Sequence, residues 1–171
     1  MRVEGILKHD SATGHGVVIQ FEHHEVHDGA MHCLCRSNAA LGNGSSDELR
    51  VAVGAKELHV TFMMAAGGDG TGYLYETTTK TANTAVTPYC MNRNYENTLL
   101  TTATHTPGGS GDGTNLWTEF LPGGAGPKAG GGQVRQGTEW VLKPDTVYLF
   151  RFTNSAGSTK PYTFCGEMYE K

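Results

Sequence analysis

The chain is short of charge, of cysteine and of long apolar runs, and each shortage narrows what it can be. Of its 171 residues, 18% are charged and 37% hydrophobic, both low for a soluble domain. Thirteen Lys and Arg stand against seventeen Asp and Glu, a formal charge of −4. That balance argues against a nucleic-acid-binding module, which needs a basic face. No stretch approaches the roughly 18 apolar residues of a membrane helix. The start, Met1-Arg2-Val3-Glu4-Gly5-Ile6-Leu7-Lys8, lacks the apolar centre of a secretory signal. Four cysteines in this length do not read as a disulfide scaffold. Cys33 and Cys35 are expected as small buried hydrophobes, and Cys90 and Cys165 pair only if the fold brings them together.

Sustained helical periodicity is missing too. Period-two alternation takes its place: Leu49, Val51 and Val53; Leu58, Val60, Phe62 and Met64; Tyr73 and Tyr75 around Leu74; Tyr162, Phe164 and Met168. Val147–Phe152 is apolar on nearly both faces and is expected as a central strand. Asn43-Gly44, Asp69-Gly70 and Asn154-Ser155-Ala156-Gly157 suggest hairpin turns, and Lys143-Pro144-Asp145-Thr146 a type I turn. These signals predict an all-β single domain, a β-sandwich or jelly roll of roughly nine or ten strands. Residues 1–15 are expected as an extended arm and 16–171 as the sandwich domain. The 24 glycines concentrate in long loops, mainly within 106–133, and the 77–96 stretch is polar.

Motifs for chemistry are scarce. There is no Gly-X-Ser-X-Gly elbow, and Lys128 is followed by Ala129 and more glycine rather than a P-loop helix. No enzyme is expected. Six of the eight histidines fall within residues 9–32. His23, Glu25 and His27 imitate a two-His, one-carboxylate site in composition. On a strand, however, the two histidine Cα atoms lie about 13 Å apart, too far for one ion. One helical turn would let them share a metal, but nothing around them reads as a helix. The expectation is a polar strand, with no metal or cofactor. Trp117, Trp140, Tyr73, Tyr75 and Tyr169 could form a sugar platform if exposed, but their alternation favours burial.

An ordered series of segments resembles head-decoration (cement) or minor capsid proteins of tailed bacteriophages. It comprises Glu22-His23-His24-Glu25-Val26-His27-Asp28-Gly29, Glu57-Leu58-His59-Val60-Thr61-Phe62, Asn92-Arg93-Asn94, the glycines at 130–132, Glu139–Phe152 and Met168-Tyr169-Glu170-Lys171. The four cysteines and the longer glycine loops depart from that pattern. The resemblance implies a virion structural protein, assembled in the host cytoplasm as a homotrimer. It would bind the outer surface of the major capsid protein shell and contact neither nucleic acid nor membrane. The expected contact elements are residues 1–28 and the glycine loop, with Arg2, Ile6, His23, Glu25, His27, Arg93, Lys128 and Arg135 as candidate contacts. The alternatives are a tail- or fibre-associated glycan-binding module and a jelly-roll metal-binding protein.

Overall fold

A computed structural model of the chain describes residues 8–9, 16–17, 21–95, 97–123, 132–135 and 139–171, with residues 8–9, 16–17, 21–22 and 132–135 described through their backbone. In chain order the elements are β1 (Lys8–His9), β2 (Gly16–Val17), α1 (Phe21–His27), β3 (His32–Leu41), β4 (Ser46–Ala52), β5 (Leu58–Ala66), β6 (Gly70–Glu76) and β7 (Thr84–Val86). They continue as β8 (Tyr89–Cys90), β9 (Thr102–His105), β10 (Thr114–Leu121), β11 (Gly132–Arg135), β12 (Trp140–Leu142), β13 (Val147–Asn154) and β14 (Lys160–Glu170). The fold is an all-β sandwich of two antiparallel sheets. There are more strands than the sequence suggests, because the polar 77–96 stretch itself contributes β7 and β8 at the sheet edges.

The first sheet runs β10-β6-β13-β4-β9-β7 and the second β11-β5-β14-β3-β8, with β12 also pairing with β5. β13 lies inside the first sheet between β4 and β6, as its two-sided apolarity predicts. Leu58, Val60, Phe62 and Met64 of β5, Tyr162, Phe164 and Met168 of β14, and Leu49 and Val51 of β4 all face the core. Phe62 sits at its centre, edge-on to Phe150 and Trp117 and stacked on Phe164. Each such side chain, fully buried, contributes about 1.5–3 kcal/mol.

The turns differ from expectation in a way that defines the sandwich. Asn43-Gly44, Asp69-Gly70 and Asn154–Gly157 were expected to close hairpins. They lie instead between β3 and β4, at the start of β6, and between β13 and β14, and each of these successive pairs divides between the two sheets. The chain crosses the sandwich at these corners, and at two of them a glycine supplies positive φ for the change of layer: Gly44 has φ 73° and Gly157 φ 74°. Lys143–Thr146 is not a type I turn, because Asp145 at its third position has φ 51°, which type I geometry excludes.

The cysteine expectation also fails. Cys35 and Cys165 form a disulfide across β3 and β14, with Cα atoms 4.2 Å apart. The register sets the two residues directly opposite each other, where side chains on neighbouring antiparallel strands come closest. Cys35 is exposed rather than buried. Cys33 and Cys90 remain free thiols, Cys90 buried, so Cys90 and Cys165 do not pair.

Of the expected arm, Lys8 and His9 pair with Val17 and Gly16 in a two-stranded ribbon; most of residues 1–15 lies outside the described residues. So does the glycine-rich segment 124–131.

Candidate functional site

The segment expected as a polar strand is helical. Phe21–His27 forms the two turns of α1, held by a contact that sequence periodicity cannot register. A helix leaves its last carbonyls without intrahelical donors. Here the amides of residues 28–31 take the carbonyls of His24, Glu25 and Val26, and the loop after β8 supplies the rest: Asn92 Nδ2 donates to the His27 carbonyl at 2.9 Å and Asn97 Nδ2 to the Asp28 carbonyl, just past the helix, at 3.1 Å. The Asn97 amide donates to the Gly29 carbonyl at 3.1 Å. Gly29 closes the helix with φ 70°, the left-handed cap that favours glycine. A Cβ there would stand 2.7 Å from the Tyr95 carbonyl oxygen.

Helical spacing rearranges the three singled-out residues. Residues four apart face each other on a helix, whereas residues two apart do not. His23 and His27 therefore meet, Nε2 to Nε2 at 3.0 Å, with rings edge-to-face at 4.5 Å between centroids. Glu25 is separated from the pair and lies 3.8 Å from His24 Nδ1, which also lies 3.4 Å from Asp28. The geometric objection to a shared ion, valid for a strand, does not apply to α1.

The same loop carries Arg93. It is exposed and makes no ion pair among the described residues. Near it in sequence, Tyr89 is 60% exposed, Met91 39%, Tyr95 58% and Leu100 49%. Four of the seven exposed large hydrophobics among the described residues thus fall within twelve residues of chain. The aromatics weighed as a sugar platform behave otherwise. Trp117 and Trp140 pack against the core, Tyr169 is buried, and Tyr73 stacks on Tyr75. Tyr89 and Tyr95 escaped the sequence reading because they sit in short or irregular segments without alternation.

Interleaved with these exposed residues is a cavity of about 390 Å³ lined by His32, Thr87, Pro88, Asn97, Thr98, Leu99 and Thr101. His32 is buried, and its Nδ1 donates to the Ala30 carbonyl at 2.9 Å. Glu170 anchors the lining residue Thr101. Its Oε1 accepts from the Thr101 amide at 2.7 Å and hydroxyl at 2.8 Å, and its Oε2 accepts from the Leu100 amide at 3.0 Å.

Two further clusters carry titratable groups. On the first sheet, Glu48, Lys80, Asp112 and Arg151 form an ion network: Lys80 Nζ donates to both Glu48 oxygens at 2.9 Å and Arg151 Nε to Glu48 Oε1 at 2.7 Å. Hydrogen bonds from Arg151 hold the Asp112 carboxyl below its ordinary range. This network ties the 77–81 and 108–112 segments down, and Thr78 and Thr79 add bonds to the Gly111 carbonyl. On the second sheet, His59 stacks on Tyr169, whose hydroxyl donates to Glu139 at 2.7 Å. Among the described residues, no group of three metal-ligating side chains converges, and no helix is long and apolar enough to cross a membrane.

Of the other candidate contacts, Arg2, Ile6 and Lys128 lie outside the described residues, and Arg135 ends β11 in register with Met63. The structure thus brings His23 and His27 together, turns Glu25 away from them toward His24, and carries Arg93 in the loop whose Asn92 bonds the end of α1. No protein-family model matches the chain, and no curated protein is significantly similar to it.

Proposed function

We propose that this chain is a capsid-decoration protein of a tailed-bacteriophage virion, a homotrimer that binds the outer surface of the major capsid protein shell through the α1 and 89–100 face. The observation that carries the reading is that Tyr89, Met91, Tyr95 and Leu100 are all exposed within one twelve-residue segment that also holds the exposed Arg93. Grouped exposed apolar side chains mark a surface that meets another protein, with aromatic and Arg anchors of the kind that dominate such contacts. Binding only the mature shell stabilises it by mass action, and many copies multiply weak contacts into avidity. A rigid sandwich with braced loops serves that task without chemistry. The sequence resemblance supports the same reading.

The test is rebinding. Purified protein is added to shells stripped of it and copies per shell are counted; sedimentation gives the oligomeric state. The wild type is expected to restore stoichiometric occupancy and the Tyr89→Ser/Tyr95→Ser variant to lose most of it. A wild type that leaves stripped shells bare overturns the proposal.

One observation favours a second reading. The cavity walled by His32, Asn97 and three threonines, next in sequence to Tyr89 and Tyr95, offers the hydrogen-bonding and aromatic surfaces that a sugar uses. Specific retention on a glycan array, abolished by Thr101→Val, would favour a glycan-binding module over decoration.

A further inference from the structure

We propose that His23 and His27 form a two-imidazole chelate for a divalent transition cation of the nickel, copper and zinc class. The argument rests on α1 and is independent of what the 89–100 face binds.

The bite is the first point. Two nitrogens about 2.1 Å from one ion lie about 3.0 Å apart at a right-angled metal and about 3.4 Å apart at a tetrahedral one. The two Nε2 atoms stand 3.0 Å apart, so their separation already matches the bite of one ion, and turning the two exposed rings about their side-chain bonds aims both lone pairs at it while the helix backbone stays in place. Preorganisation is the second point. Asn92 and Asn97 brace the carbonyls of His27 and Asp28, so the turn that carries the pair is held before any ion arrives, and binding does not have to order it.

The donor set decides the ion. Two neutral imidazoles suit nickel, copper and zinc, whereas magnesium and calcium need oxygen donors. Of the described side chains of this segment, the carboxylates of Glu25 and Asp28 lie by His24. No third ligand joins among the described residues, so the remaining positions fall to water or to donors of a neighbouring molecule. In the metal-free pair one ring donates its Nε2–H to the other. To ligate, that ring carries its proton on Nδ1 instead, which frees two Nε2 lone pairs with no net proton release.

The experiment is calorimetric titration of the full chain, freed of metal with a chelator, with nickel chloride and separately with magnesium chloride. One nickel per chain and no magnesium is the expected result. His23→Gln and His27→Gln should each weaken nickel binding by at least about tenfold, the lower end of what even an outer-shell change does to a metal site. His24→Gln, on the same helix but outside the pair, should leave it unchanged. The chain has eight histidines, so nickel binding that persists in the His23→Gln/His27→Gln double variant overturns the proposal, as does a wild type that binds no nickel. A readout free of substitution accompanies these. Paramagnetic nickel should broaden the imidazole resonances of His23 and His27 first, and broadening that begins at other histidines counts against the site.

Discussion

Arg151 and Asp112 meet end-on, guanidinium to carboxylate: Nη1 donates to Oδ2 at 2.8 Å while Nη2 donates to Oδ1. The same guanidinium also donates from Nε to Glu48 and lies 5.2 Å over the Tyr75 ring. Glu48 is the hub, since it also takes Lys80, and its side chain is 13% exposed against 36% for Asp112. Removing Glu48 takes from Lys80 both of its close carboxylate oxygens, leaving Asp112 at 3.6 Å, and leaves Arg151 only Asp112, whereas removing Asp112 leaves both cations bonded to Glu48. Glu48→Ala should therefore lower the unfolding free energy by about 3 kcal/mol and Asp112→Ala by about 1 kcal/mol. Urea denaturation of the two variants checks the order, and equal losses would contradict the hub.

The acid limb of stability should carry the mark of Asp112. Its carboxyl titrates lower in the folded chain than in the unfolded one, chiefly through hydrogen bonds from Arg151. Glu76 shifts the same way, through Lys143 and then Tyr148. A depressed folded value means the unfolded chain binds protons first as pH falls. The contribution is complete above the unfolded values near 4 and drains away as pH drops through the folded ones. Urea midpoints measured from pH 7 to pH 3 should fall most steeply below pH 5, and Asp112→Asn should flatten that slope.

The Cys35–Cys165 bond joins residues 130 apart in sequence. Closing so long a loop restricts the unfolded chain, and Cys35→Ser should lower stability by about 2–4 kcal/mol. Alkylation of the denatured chain should label the two free cysteines before reduction and all four after it. Four labels without reductant would show the bond absent.

Gly29 and Gly44 share a positive φ, 70° and 73°, but not their surroundings. A Cβ at Gly44 meets nothing within 4 Å, while one at Gly29 runs into Tyr95. Gly44→Ala should lose only the left-handed penalty of about 1 kcal/mol. Gly29→Ala should lose distinctly more, about 2–3 kcal/mol, and should raise amide exchange across residues 91–97. Matching losses in thermal unfolding would mean that the loop does not brace α1.

These comparisons show what one-dimensional pattern carries. Alternation identified the inward faces of β4, β5 and β14 and the central place of β13, because burial on a pleated strand repeats every second residue. α1 escaped it: seven residues give too few turns for a period, and the helix depends on amide donors from Asn92 and Asn97, about seventy residues away. The disulfide escaped for a related reason. Register between β3 and β14 belongs to the assembled sheet, whereas spacing along the chain drew attention to Cys33 and Cys35. Asn-Gly and Asp-Gly announced turns correctly but not which layer the chain enters next. Within the candidate site, the His23–His27 spacing was visible from the start, and only the missing helix hid its meaning.

The last strand in chain order, β14, is wedged between β3 and β5 in the middle of its sheet. Until synthesis has passed residue 170, β3 and β5 have no common neighbour, and their apolar faces wait without a partner. Assembly of that layer must wait for β14, and it is slow because its contacts are distant. The nascent chain is therefore most exposed to aggregation just before β14 emerges.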